Sequence, residues 1–137
     1  MLVTRSIETE TLKGPADWFS GDVDIEAVAD PAGTSTFAAV NVHFSPGART
    51  AWHTHPHDQT LFVTDGVGLC QREGGPVEII CPGDRVFFEP GENHWHGAAP
   101  NGDGQEVVVH AQQRPAHGRG RPHRPGRRGR RRGPVRP

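Results

Sequence analysis

Two separated segments each carry a His-x-His pair, His53-Thr54-His55 and His94-Trp95-His96, preceded by the turn signals Ser45-Pro46-Gly47 and Pro90-Gly91. Residues two apart on a strand share a face, so each pair presents two imidazoles to one side. Gln59 stands past His55, beyond a short turn, where its amide oxygen can return to the same point. His53, His55, Gln59 and His94 then offer three nitrogens and one oxygen, a donor set for one divalent ion with room left for water or substrate. A single His-x-His is commonly a hydrogen-bonded or surface feature; two of them on separate strands argue for convergence. His96 shares the face of His94. An ion using His94 leaves His96 free to carry a proton.

Such donors need strands to hold them. Period-two alternation, broken by Gly, Pro, Asn and Asp at close intervals, runs from Ser35 to Gln112. Strands are expected over Leu2–Ile7, Val23–Ala29, Ser35–Ser45, Ala51–His55, Thr60–Thr64, Gly68–Glu73, Val77–Cys81, Arg85–Glu89, Asn93–Ala98 and Gln105–Gln112, with no amphipathic helix. Between them lie turn signals such as Asp65-Gly66, Gly74-Gly75-Pro76 and Pro82-Gly83-Asp84. Many short strands at this spacing predict an all-β fold, a jelly-roll sandwich or closed barrel that leaves few sheet edges exposed.

The 137 residues allow one domain with a modest core and a single site. Charge divides the chain sharply. Ten arginines lie from Arg114 to Arg136, whereas every acidic residue lies at or before Glu106. The body carries five basic against sixteen acidic groups, a net of −11, and the tail +10. The expected organisation is a domain over residues 1–113, with its core at 35–112, followed by a tail over 114–137. That tail is Arg, Gly, Pro and His with little else, and it cannot bury enough apolar surface to offset its ordering entropy, so disorder is expected. Its residue types all have GC-rich codons and its onset is abrupt, as a slipped reading frame near the 3′ end would produce. An inert tail and a basic arm for nucleic acid are the other readings, the last of them the weakest. No stretch has the form of a signal peptide or approaches the roughly 20 apolar residues of a membrane span, so a cytoplasmic location is expected. Cys70 and Cys81, too few for a disulfide framework, are read as reduced strand residues.

Residues Gly47 to Gly66 resemble the first motif of the cupin family, G-x5-H-x-H-x3-E-x6-G, with Gln59 in place of the glutamate. The second motif, G-x5-P-x-G-x2-H-x3-N, is met by Gly83, Gly91 and His94, with Glu89 and Ala98 replacing its proline and asparagine. Gln59 removes a negative charge from the donor set, which favours Lewis-acid over oxygen chemistry at the ion. Four separated segments carry a narrower likeness: Gly14 to Phe19, Pro46 to Pro56, Gln71 to Gly75 and His94 to Pro100. They are similar to the small bacterial cupins that include the manganese-dependent (R)-selective hydroxynitrile lyases. That resemblance implies Mn(II), or Fe(II), held by His53, His55, Gln59 and His94, with Thr50 and His96 beside it. It implies a metal-assisted carbon–carbon lyase acting on cyanohydrins, with His96, His110, Thr50 and Gln112 as catalytic groups. Val40, Val42 and Phe44, alternating on one strand, would form an apolar wall for the substrate. These lyases carry a histidine four residues before a glutamine; counted back from Gln112 the position holds Val108, and His110 has the same strand parity and is expected to point inward. A dioxygenase or isomerase acting on a small aromatic or keto compound, and a ligand-binding cupin without turnover, are the alternatives. Cupin N-terminal strands commonly pair across a subunit interface, so a homodimer or homotetramer is expected.

Overall fold

The computed structural model describes residues 1–29 and 38–101, together with the main chain of 107–113. The tail from Arg114, the loop 102–106 and the proposed division at residue 113 lie outside the described residues. Among the described residues, eleven strands form two antiparallel sheets: β1 (Thr11–Lys13), β2 (Phe19–Ser20), β3 (Val23–Ala29), β4 (Ala38–Phe44), β5 (Arg49–Thr50), β6 (Gln59–Val63), β7 (Gly68–Arg72), β8 (Glu78–Ile80), β9 (Arg85–Phe88), β10 (His94–Ala98) and β11 (Val107–Gln113). One sheet runs β1-β3-β4-β11-β6-β9 and the other β2-β5-β10-β7-β8. Apart from the pairs β3–β4 and β7–β8, consecutive strands are thus dealt to opposite sheets, as in a jelly roll.

Alternation sets the interior. On β6, Gln59, Leu61 and Val63 are buried while Thr60 and Phe62 are not. Leu61 and Val63 meet Phe44, Val42, Val23, Cys70, Ile80 and Phe88 in the core. Fully burying a side chain such as Phe44, Leu61 or Val63 stabilises the fold by about 1.5–3 kcal/mol.

Several expected elements differ. The N-terminal segment is not a strand over Leu2–Ile7; it makes a single 3-10 turn at Ser6–Glu8, and pairing begins only with β1, where Lys13 forms an ion pair with Asp24 at 2.7 Å. Leu2 and Ile7 are more than nine-tenths exposed, so no sheet face covers them. Ala51–His55 is not a strand either: β5 ends at Thr50, and beyond it only His53 pairs, through an isolated bridge to His94. Pro56 follows immediately and lacks the N–H that a continuing ladder needs. Cys70 lies buried in β7, but Cys81 follows β8 and is exposed; both are free thiols. Among the described residues no helix is long and apolar enough to cross a membrane.

Candidate functional site

The two His-x-His segments are stitched together by their main chains. His53 N donates to His94 O and His94 N to His53 O, each at 3.0 Å, and Gly91 N donates to His55 O at 2.8 Å. Gly91 takes φ 76°, a left-handed turn conformation that a residue with a Cβ rarely adopts. The turn before the second pair therefore ends against the first, and the imidazoles converge. Ring centroids are 4.3 Å apart for His53 and His94, 4.8 Å for His53 and His55, and 5.7 Å for His55 and His94. Ligand atoms of His53, His94 and His96 all lie within 4.8 Å of one another.

Hydrogen bonds fix which ring nitrogen faces inward. A carbonyl can only accept, so His53 Nδ1–H donates to Ala51 O and His94 Nδ1–H to Glu92 O, both at 2.8 Å. Each Nε2 is left with a lone pair, the tautomer of a metal-binding histidine whose other nitrogen is tied to the protein. His94 Nε2 stands 2.8 Å from Gln59 Oε1. Two acceptors this close repel unless something positive lies between or beside them. Adjacent donors on an octahedral ion bonded at about 2.1 Å stand about 3 Å apart, so this pair has the spacing of two ligands. Phe88 stacks on the His94 ring at 3.7 Å between centroids and holds it from behind.

Burial keeps three of these histidines neutral. Burial drives the His94 pKa down to about 4, the charges of His53 and His55 add to that, and the Glu92 carbonyl and carboxylate oppose it. His96, 4% exposed, is lowered well below the usual value, first by burial and then by His53, His94 and His55. His55 is lowered by burial and by His53, against a hydrogen bond with Gln59 that raises it. These three are therefore neutral near pH 7, the state in which imidazole binds a metal ion or accepts a proton. The Nδ1 of His96 is buried without a hydrogen-bond partner, a further polar atom awaiting one. A divalent cation fits this donor set.

Beside the imidazoles lies a cavity of about 650 Å³. His53, His55, Gln59, His96 and Thr50 supply its polar lining, and Phe19, Ile25, Val40 and Val42 an apolar wall. Thr50 Oγ1 accepts the main-chain N–H of His96 at 3.1 Å. Phe44 does not line the cavity as expected: fully buried, it packs in the core with its ring against the edge of His96 at 5.7 Å. His96, expected to stand free beside the ion, belongs with His53 and His94 to a group of three histidines that could hold one.

The late strand, β11, is described by its main-chain register. In register His110 stands opposite Asn41 and Phe62, and Gln112 opposite Ala39 and Thr60. Opposite Val42 and Val63 stands Val109, and opposite Val40 and Leu61 stands Ala111. The expectation that His110 and Gln112 point inward concerns side chains that lie outside the described residues. Reading residues by chemistry also missed Trp18, Trp52 and Asp17, which line the solvent side of the cavity. Their only sequence signal was their place inside the family-like segments.

A family model described as a cupin domain matches residues 40–110. The chain is 61% identical over 88 residues, 64% of this chain and 67% of the relative, to the (R)-mandelonitrile lyase of Granulicella tundricola. Among solved structures, a cupin-like protein from Thermotoga maritima superposes with a TM-score of 0.69 at 40% identity, over 74% of this chain and 75% of that one. The polyketide cyclase RemF from Streptomyces resistomycificus superposes with a TM-score of 0.70 over 83% and 79%, and at 19% identity the likeness is one of fold alone. Both sheets, both His-x-His pairs and the matched stretch lead to one conclusion: the chain belongs to the cupin family.

Proposed function

We propose that this cupin is a metal-dependent lyase that cleaves cyanohydrins into a carbonyl compound and cyanide, or runs the reverse addition. The observation that carries the reading is the convergence of His53, His94 and His96 within 4.8 Å beside an apolar-walled cavity. The name of the Granulicella tundricola relative supports the reaction class. His53, His55, Gln59 and His94 would hold the ion. When bound, a divalent cation, Mn(II) or Fe(II) on the family resemblance, supplies Lewis acidity toward the substrate oxygen.

The remaining steps belong to the side chains. His96, neutral because it is buried, accepts the hydroxyl proton. The carbon–carbon bond to the nitrile then breaks, its electron pair leaves with cyanide, and His96 returns the proton to give hydrogen cyanide. Thr50 holds His96 through its main-chain N–H and keeps its own O–H for the cavity. Ile25, Val40 and Val42 receive the apolar substituent and keep water from it. No step is assigned to His110 or Gln112, whose side chains lie outside the described residues. The test is mandelonitrile cleavage by chelator-stripped protein before and after reloading with Mn(II) or Fe(II). Cleavage restored by the metal supports the reading, and its absence with both metals overturns it. His96→Ala should keep the metal and lower turnover by about 10²–10⁴, the usual contribution of a positioned base; full activity would remove His96 from that role.

A further inference from the structure

The strand carrying His94 and His96 buries a large side chain that the chemistry above leaves unused. Trp95 alternates with the two imidazoles on β10, so it stands on the face opposite theirs, yet it is only 6% exposed. Three neighbours enclose it. Its indole N–H donates to Gln71 Oε1 at 2.9 Å, and the Gln71 amide donates onward to Gly75 O at 2.9 Å. The Arg49 guanidinium lies 4.3 Å from a Trp95 ring centroid, within cation–π range. Trp52 meets Trp95 edge-to-face, with centroids 6.5 Å apart. Arg49 approaches this closely because its cross-strand partner is Gly97, where an added Cβ would collide with Ala48 O and the Arg49 main chain.

The two indoles adjoin the histidines in sequence. Trp52 precedes His53, and Trp95 separates His94 from His96. His53 and His94 are joined by an isolated bridge, with no continuing ladder on the His53 side to hold its register. One short crossing thus carries the imidazoles together with two indoles that meet edge-to-face. We infer that Trp95 is a positioning residue for the metal-binding histidines: clamped by Arg49 and Gln71, it acts through Trp52 to set the separation of His53 and His94. The inference rests on the metal reading proposed above.

Wild type, Trp95→Leu and Trp95→Phe are compared by Mn(II) titration calorimetry, by the d–d absorption of Co(II)-loaded protein, and by the unfolding midpoint of the metal-free form. Trp95→Leu should weaken Mn(II) binding about 10–100-fold, the usual cost of removing a partner that orients ligands, and should shift the Co(II) band. Trp95→Phe keeps an aromatic ring against Arg49 and Trp52 and should recover most of the affinity. If Trp95→Leu does not fold, Arg49→Met and Gln71→Leu loosen the same clamp and carry the test with the same sign. Mn(II) affinity within twofold of wild type and an unchanged Co(II) band would overturn the positioning role, whatever the unfolding midpoint does. A wild type that binds neither metal would overturn the metal reading and this inference together, so the two failures are distinguishable.

Discussion

Replacing Gln59 by methionine separates a ligand from a structural hydrogen bonder. Gln59 is 3% exposed, and its Oε1 stands 2.8 Å from His94 Nε2, a nitrogen left without a proton because Nδ1–H is committed to Glu92 O. Without an ion the two acceptors conflict. Protonating His94 would relieve the conflict, but with its pKa at about 4 this costs about 4 kcal/mol at pH 7. Turning the Gln59 amide would instead place its NH₂ against His94 and disturb its hydrogen bond with His55. Either way the metal-free protein gains little from this amide, whereas the loaded protein loses an oxygen donor on a cation. A hydrogen bond to a charged group is worth about 1.5–3 kcal/mol, and taking the lost donor at that scale gives about a 10- to 100-fold weaker Mn(II) affinity. Gln59→Met should therefore show that loss by calorimetry while the urea stability of chelator-treated protein changes by no more than about 1 kcal/mol, one net hydrogen bond. Unchanged Mn(II) affinity, or metal-free destabilisation beyond about 3 kcal/mol, would mean that Gln59 serves the fold rather than an ion.

Three further outcomes follow from packing and protonation. The metal-free protein should lose stability as pH falls from 6.5 to 4: the unfolded chain binds protons that buried His94 refuses until about pH 4, giving a fall of about 3 kcal/mol from that residue alone. His55 and His96, lowered likewise, add to it with the same sign, and urea midpoints that stay flat across this window would refute the burial argument. Iodoacetamide should modify Cys81 in the native protein and spare Cys70, whose thiol is buried and pushed up to about 11 by burial and by Glu78; peptide mapping that finds Cys70 alkylated under native conditions would contradict its placement. Gly97→Ala should cost about 2–4 kcal/mol in urea denaturation, combining overpacking against Arg49 with loss of the Ala98 N–Ala48 O hydrogen bond, and a change below about 1 kcal/mol would show that β5 and β10 can part freely.

Much of the barrel was legible because period-two burial and turn glycines are local signals. β3, β4 and β6 to β11 fall within a few residues of their expected positions, and both His-x-His segments reach one site as spacing required. Elements whose existence depends on distant partners were not legible. β1 and β2 are two or three residues long and form only because β3 and β5 stand ready to pair with them. The His53 segment looked like a strand by composition, but Pro56 and the crossing to His94 reduce it to one bridge. The register of the strand that carries His110 is likewise set by pairing across the sheet with β4 and β6, which no local signal gives. Phe44 was assigned to the cavity wall by alternation alone, which gives the face of a residue but not its depth.

The central claim is that these residues hold a divalent ion, and the direct measurement is metal content per chain after stripping, reloading with Mn(II) and desalting. Elemental analysis should find about one ion per chain in the wild type, the capacity of a single donor set, and none in His53→Ala, because His53 belongs both to the expected ligand set and to the group of three histidines whose ligand atoms lie within 4.8 Å of one another. A wild type that retains no ion, or a His53→Ala variant that retains as much as the wild type, would contradict the account.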